Sequence, residues 1–126
     1  MKNSKNDIKI GVLGMGYVGL PLAIEFGKKF NVIGFDINKD RVKQLKEKKD
    51  ITNEVSIYDF EASEFLNFTN KLESLQECNV LIITVPTPVD KNNLPDLTFL
   101  TKASQMAGSV LKNNDVIIYE STVYPG

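Results

Sequence analysis

Ile8-Lys9-Ile10-Gly11-Val12-Leu13-Gly14-Met15-Gly16-Tyr17-Val18-Gly19 is the stretch whose reading decides the fold. Its first half alternates Ile8, Ile10 and Val12, the period of a buried strand. The run breaks into Gly14-x-Gly16-x-x-Gly19, and an apolar helical pattern follows at once in Leu20, Leu22, Ala23, Ile24 and Phe26. Strand, glycine turn and helix in that order lift the glycine spacing above a chance match. Gly14 permits the tight turn, Gly16 lets a pyrophosphate approach the backbone, and Gly19 lets helix and strand pack closely. The helix N-terminus adds free N–H groups and the positive end of its dipole. Pro21 falls in the first helical turn, where its missing N–H breaks no intrahelical bond.

The fingerprint asks for an acidic residue ~20 positions further on, at the end of a second strand. Asp36 supplies it, closing Asn31-Val32-Ile33-Gly34-Phe35-Asp36. Its carboxylate can accept hydrogen bonds from a ribose diol; the plainer reading is a solvated strand end or a helix cap. Asn38 is placed to cap a following helix with Val42 and Leu45 as its apolar stripe. The lysines between Lys39 and Lys49 read as a solvated face. Arg41 is the exception. One turn into the helix, just beyond the ribose carboxylate, its guanidinium can cover an adenine or pair with a phosphate.

Composition bounds the rest. The 126 residues fit one domain of ordinary size, and 42% hydrophobic content supports a core. A net charge of −1 gives no electrostatic case for nucleic acid or an anionic membrane as partner. The absence of histidine removes the commonest general base and zinc ligand. One cysteine excludes an internal disulfide and a cysteine-rich metal site, and it fits a reducing cytoplasm. Met1 to Asp7 is polar and expected to fray, with no apolar core of a signal peptide. No apolar run approaches the ~20 residues of a membrane span.

Asp50 to Ser56 has loop composition. A short helix is expected from Ile57 to Phe65, with Ile57, Phe60 and Phe65 inward, then a strand from Leu66 to Thr69 and helical turns from Lys71 to Gln76. Val80 to Val85 is the strongest strand, a continuous apolar run suited to a central parallel position. Cys78, just ahead of it, reads as a small buried hydrophobe rather than a nucleophile. Pro86-Thr87-Pro88 stiffens the turn after this strand and leaves Thr87 as its polar member. In the loop that follows, Asp90 reads as solvated and Asp96 as a helix cap, not as metal ligands. A helix from about Leu97 to Leu111 is expected, with Asn113-Asn114 as its left-handed cap. A last strand runs from Asp115 to Glu120, ahead of Ser121-Thr122-Val123-Tyr124-Pro125-Gly126. Strands alternating with helices predict an α/β fold: a Rossmann-type parallel sheet in the order 3-2-1-4-5, helices on both faces, with the sixth strand of the full dinucleotide-binding order missing. That arrangement leaves one edge of the last strand open for self-association.

These motifs together resemble the N-terminal domain of the UDP-glucose/GDP-mannose dehydrogenase family. The resemblance rests on Gly14 to Pro21, the Asp36 to Arg41 spacing, Thr84-Val85-Pro86-Thr87-Pro88, and Tyr119 to Gly126, and it covers residues 8–126. Thr52-Asn53-Glu54-Val55-Ser56 and the Glu120 to Gly126 ending are most similar to the UDP-N-acetylhexosamine 6-dehydrogenase branch, whose products feed bacterial surface polysaccharides. The resemblance implies oxidation of the C6 hydroxyl of a UDP-sugar to a carboxylate in two steps, with NAD as cofactor. It implies that backbone N–H groups around Gly16, Tyr17 and Val18 meet the pyrophosphate. Asp36 would hold the adenosine ribose, and Arg41 would lie against the adenosine end. Thr87 would line the cofactor cleft, Ser121 and Thr122 would sit near the nicotinamide, and Thr122 would take a supporting catalytic role. The plainer reading of Thr122 is a turn residue bonding its own backbone.

The family's cysteine nucleophile, with its supporting lysine and asparagine, lies in a later domain, and Cys78 does not match its motif. Residues 8–126 are therefore expected to be the dinucleotide-binding domain of a longer cytoplasmic enzyme, a homodimer when intact, and inactive alone. The competing readings are the cofactor domain of a β-hydroxyacid dehydrogenase and a freestanding dinucleotide-binding module.

Overall fold

All strand pairing is parallel in the computed structural model, which describes residues 8–16, 18–50, 55–84, 98–112 and 115–120. In chain order the elements are β1 (Lys9–Leu13), α1 (Gly19–Gly27), β2 (Asn31–Phe35), α2 (Lys39–Lys46), α3 (Ile57–Ala62) and β3 (Leu66–Thr69). A 3₁₀ helix (Leu72–Glu77), β4 (Val80–Ile83), α4 (Thr98–Val110) and β5 (Val116–Tyr119) follow. The five strands lie in the order β3-β2-β1-β4-β5, as the motif order requires. Leu13 stands beside Phe35 and Ile83, so β1, β2 and β4 end level with one another.

The period-2 pattern of the strands builds two cores. Ile10, Val12, Val32 and Ile82 point to one face, where Leu20, Ala23 and Ile24 of α1, Leu45 of α2 and Phe60 of α3 cover them. Leu13, Phe35, Leu81 and Ile83 point to the other, under Leu75 of the 3₁₀ helix and Ala103, Ala107 and Val110 of α4. Leu81, Ile82 and Ile83 are all buried, which is why β4 reads as an unbroken apolar run. Truncating a wholly buried residue such as Leu81 to alanine costs about 2–5 kcal/mol.

Local chemistry sets the helix starts. Asn38 Oδ1 accepts from the N–H groups of Asp40 and Arg41 at 3.0 and 3.1 Å, the expected cap of α2. Ser56 and Asp59 form a reciprocal capping box on α3. The Ser56 N–H beside the Asp59 carboxyl holds it below its ordinary pKa.

Some expectations are corrected. α3 ends at Ala62, and only Phe60 of its three expected inward residues is buried; Ile57 and Phe65 are exposed. A helix this short presents one apolar side chain to the core. Phe65 has left it: its N–H donates to Gly27 O and its carbonyl accepts from Val32 N–H, aligning the chain for β3. β4 ends at Ile83, although Thr84 N–H still donates to Leu13 O at 3.0 Å. The expected caps at Asp96 and at Asn113-Asn114 lie outside the described residues.

Candidate cofactor site

The level carboxyl ends of β1, β2 and β4 open into a cleft of about 600 Å³, roofed by α4. Gly14, Met15, Gly16, Asp36 and Thr84 line its sheet side, and Lys102, Ala103 and Met106 its helix side. In open α/β sheets ligands bind outside the carboxyl ends of strands, where the strand order reverses. A second cavity of about 440 Å³ includes Lys9 and Asn31, the first residues of β1 and β2, and so lies toward the opposite end.

The glycine loop is tied down from several sides. Gly14 has φ 103°, a conformation that side chains disfavour, and its N–H donates to Phe35 O at 2.8 Å. Met15 N–H donates to Asp36 Oδ2 at 2.9 Å, and Asn38 N–H to Asp36 Oδ1 at 2.9 Å. The Met15 side chain is buried in the α1 core. Thr84 Oγ1 lies 3.0 Å from Leu13 O and 2.8 Å from Gly14 O, donating into the turn. A Cβ on Gly19 would fall 1.7 Å from Gly14 O, so only glycine lets α1 start this close to the loop. Gly16 is the opposite case: its Cβ would meet nothing within 4 Å.

Such a site fits a dinucleotide. The start of α1 has no acidic residue in its first turn and no side-chain cap from Val18, so nothing there repels an anion, although Leu20 and Leu22 N–H already donate to Gly16 O and Val18 O and Pro21 has no N–H to offer. Asp36 keeps lone pairs on both carboxylate oxygens after its two backbone bonds, enough to accept from a ribose diol. Ile37, exposed beside it, offers an apolar surface at the cleft wall.

Gly14, Gly16 and Asp36 are brought to one cleft, with Val18 and Gly19 at the start of α1 behind the loop. Arg41 differs from the open guanidinium expected against the adenosine end. It is buried and does not line the cleft. Its Nε donates to Met15 O at 2.8 Å, and its Nη1 pairs with Asp50 Oδ1 at 3.0 Å. The loop carbonyl, distant in sequence, and a buried carboxylate together draw the side chain inward. Tyr17, Thr87, Ser121 and Thr122 lie outside the described residues. The sequence reading missed Thr84 as a loop tether, although its place at the end of β4 signals it. It also missed the α4 wall, whose facing is set by packing and not by any motif.

Cys78 is away from this cleft and buried. Burial pushes its thiol up to about 11, against the opposing pull of Lys112. That bears out the structural reading of this cysteine. Among the described residues no group of three potential metal ligands occurs, and no helix is long and apolar enough to cross a membrane.

Comparison with known proteins agrees with this geometry. Residues 8–126 match the model of the UDP-glucose/GDP-mannose dehydrogenase family, NAD binding domain. The chain is 56% identical over 120 residues to UDP-N-acetyl-D-glucosamine 6-dehydrogenase of Pseudomonas aeruginosa, covering 95% of this chain and 28% of that protein. It is 50% identical over 121 residues to the enzyme of the same name from Salmonella typhi, covering 96% and 28%. UDP-D-ManNAc dehydrogenase from Pyrococcus horikoshii superposes with a TM-score of 0.82 at 34% identity, covering 94% of this chain and 29% of that one. The chain thus spans under a third of the length of these relatives. Fold, glycine loop and matched residues lead to one assignment: the chain belongs to the UDP-glucose/GDP-mannose dehydrogenase family, as its NAD-binding domain.

Proposed function

We propose that this chain is the cofactor-binding part of a longer NAD-dependent 6-dehydrogenase acting on a UDP-N-acetylhexosamine. The reaction takes the C6 hydroxyl to a carboxylate in two oxidations and supplies a uronic acid sugar for surface polysaccharide. The observation that carries the reading is the glycine loop tied to the Asp36 carboxylate at the end of β2, with open space over Gly16 where a Cβ would meet nothing within 4 Å. NAD, when bound, supplies the hydride acceptor. The chain's own residues bind and orient it. Gly14 and Gly19 shape the loop, Asp36 accepts from the adenosine ribose, and we assign the N–H groups of Gly16, Tyr17 and Val18 to the pyrophosphate. From the family resemblance we assign Thr87 to the cofactor cleft and Ser121 and Thr122 to the nicotinamide end, with Thr122 to orient water or substrate. We assign the substrate branch from the names of the relatives and from Thr52 to Ser56. We infer that the UDP-sugar is the partner, that the working unit is a homodimer and that the reaction takes place in the cytoplasm.

The test is turnover by the longer protein carrying this chain, with NAD and UDP-N-acetylglucosamine, UDP-N-acetylmannosamine or UDP-glucose. Two NADH formed per N-acetylated sugar is the expected result. A preference for UDP-glucose would overturn the substrate, and no NADH from any UDP-sugar would overturn the reaction.

A further inference from the structure

The two peptide units between Gly14 and Gly16 present four polar ends, and three are occupied. In the first unit, Gly14 O accepts from Thr84 Oγ1 at 2.8 Å and Met15 N–H donates to Asp36 Oδ2 at 2.9 Å. In the second, Met15 O accepts from Arg41 Nε at 2.8 Å. The fourth end, Gly16 N–H, has no acceptor among the described residues. A trans peptide is planar, so its C=O and N–H point in opposite directions. Arg41 draws Met15 O toward the interior and thereby turns Gly16 N–H the other way. Gly16 itself is exposed, and a Cβ added there would meet nothing within 4 Å.

Arg41 is in turn held. Its Nη1 meets Asp50 Oδ1 at 3.0 Å, with side-chain exposures of 9% and 0%, and Asp50 Oδ2 accepts from Val55 N–H at 3.1 Å. A fork of donors suits the arrangement, because one guanidinium reaches the loop carbonyl and the carboxylate at once, in fixed geometry. Nη2 is buried with no hydrogen-bond partner, so the side chain is anchored through its other two nitrogens.

We propose that Asp50 and Arg41 are a positioning pair that orients the Met15–Gly16 peptide, and so the Gly16 N–H, toward the cofactor's pyrophosphate. This rests on the NAD reading above. Arg41 acts here through the loop and not by direct contact with adenosine.

The two roles give opposite signs for Asp50→Asn. If Arg41 touched the cofactor directly, neutralising its partner would free positive charge and leave binding equal or tighter. If the pair positions the loop, binding weakens, and only for ligands that carry a pyrophosphate. The experiment is titration of this chain and its Asp50→Asn and Arg41→Lys variants with ADP-ribose by calorimetry, and with adenosine by NMR. Both variants should weaken ADP-ribose about tenfold, the loss of one well-oriented hydrogen bond to a charged group. Adenosine should stay within about twofold. Unchanged or tighter ADP-ribose binding by Asp50→Asn, or a parallel loss for adenosine, overturns the proposal. Amide exchange on the unsubstituted chain keeps the test open should a variant fail to fold. The Gly16 N–H should exchange freely without ligand and become protected by ADP-ribose; an amide that gains no protection overturns the proposal. Failure of the unsubstituted chain to bind ADP-ribose would instead overturn the NAD reading itself.

Discussion

Alanine at Gly16 and alanine at Gly19 should separate binding from folding, though the two sites are three residues apart. A Cβ on Gly16 meets nothing within 4 Å, and its φ is not among the positive values that strain a side chain. Gly16→Ala should therefore leave stability within about 0.5 kcal/mol of the parent. The methyl group would occupy the space through which a phosphate oxygen must reach the Gly16 N–H. Losing one charge-assisted hydrogen bond costs about 1.5–3 kcal/mol, or roughly 10- to 100-fold in NADH affinity. At Gly19 the added carbon would lie 1.7 Å from Gly14 O and 2.4 Å from Thr84 Oγ1. A backbone oxygen cannot swing away, so the start of α1 must back off the loop at a cost of about 1–3 kcal/mol or more. Better helix propensity returns at most about 1 kcal/mol. Fluorescence titration with NADH and urea unfolding of both variants measure the two effects. Parental NADH affinity in Gly16→Ala would refute the placement of the pyrophosphate. Equal destabilisation of the two variants would refute the packing argument.

Asp36 should select NAD over NADP, because a 2′-phosphate would bring negative charge onto a carboxylate at the strand end; equal or tighter calorimetric binding of NADPH would overturn this. In the longer enzyme proposed above, Thr122→Ala should lower kcat by about tenfold, the value of one neutral hydrogen bond, with a smaller effect on NAD binding; an unchanged kcat returns Thr122 to a turn residue. Cys78 should resist iodoacetamide at pH 8 in the folded chain, since its thiol titrates near 11 against an ordinary 9.0. The folded state then holds its proton more tightly than the unfolded state, so this group's contribution to stability is intact below pH 9 and is lost as pH rises from about 9 to 11. Urea midpoints of the parent and Cys78→Ser across that window check the sign. At β5, Val116, Ile118 and Tyr119 are 51%, 42% and 53% exposed on the last strand of the sheet order, so the chain should self-associate at high micromolar concentration. Ile118→Lys, unlike a change at Ile117, leaves the α4 core untouched and should abolish it in sedimentation; a strictly monomeric parent would refute the exposed-edge argument.

The fold was legible because its signals are local and agree with one another. Ile10 and Val12 alternate toward one face, the glycine spacing stops the strand, and Leu20, Ala23 and Ile24 restart the pattern at helical period. Strand order follows from that motif order without any long-range information. Where the expectation slipped, a non-local bond decided. Phe65 continues an apolar helical pattern on paper, but hydrogen bonds to Gly27 and Val32 extend the backbone there. Periodicity carries no trace of partners so distant in sequence, so the end of α3 could not be placed from its own residues.

The site divides in the same way. Asp36 was legible because a fixed spacing from the glycines puts an acid at the end of β2. Asp50 was not, because it sits in a stretch that reads as loop, and its meaning arises only when Arg41 turns inward to meet it. The structure also gives Asp36 a second role that spacing could not reveal, with one carboxylate oxygen holding Met15 N–H while the other holds Asn38 N–H. Ribose recognition and loop shape are therefore coupled at one residue. Replacing Asp36 with a residue lacking an acceptor, as in a simple attempt to admit NADP, leaves the part-buried Met15 N–H without its partner and costs about 1–3 kcal/mol of loop order. An exchange of cofactor preference here requires a side chain that still accepts from Met15. Asn at position 36 meets that condition through its amide oxygen and removes the charge, whereas alanine removes both. NADPH binding should thus be better in Asp36→Asn than in Asp36→Ala, although alanine leaves more room for the 2′-phosphate.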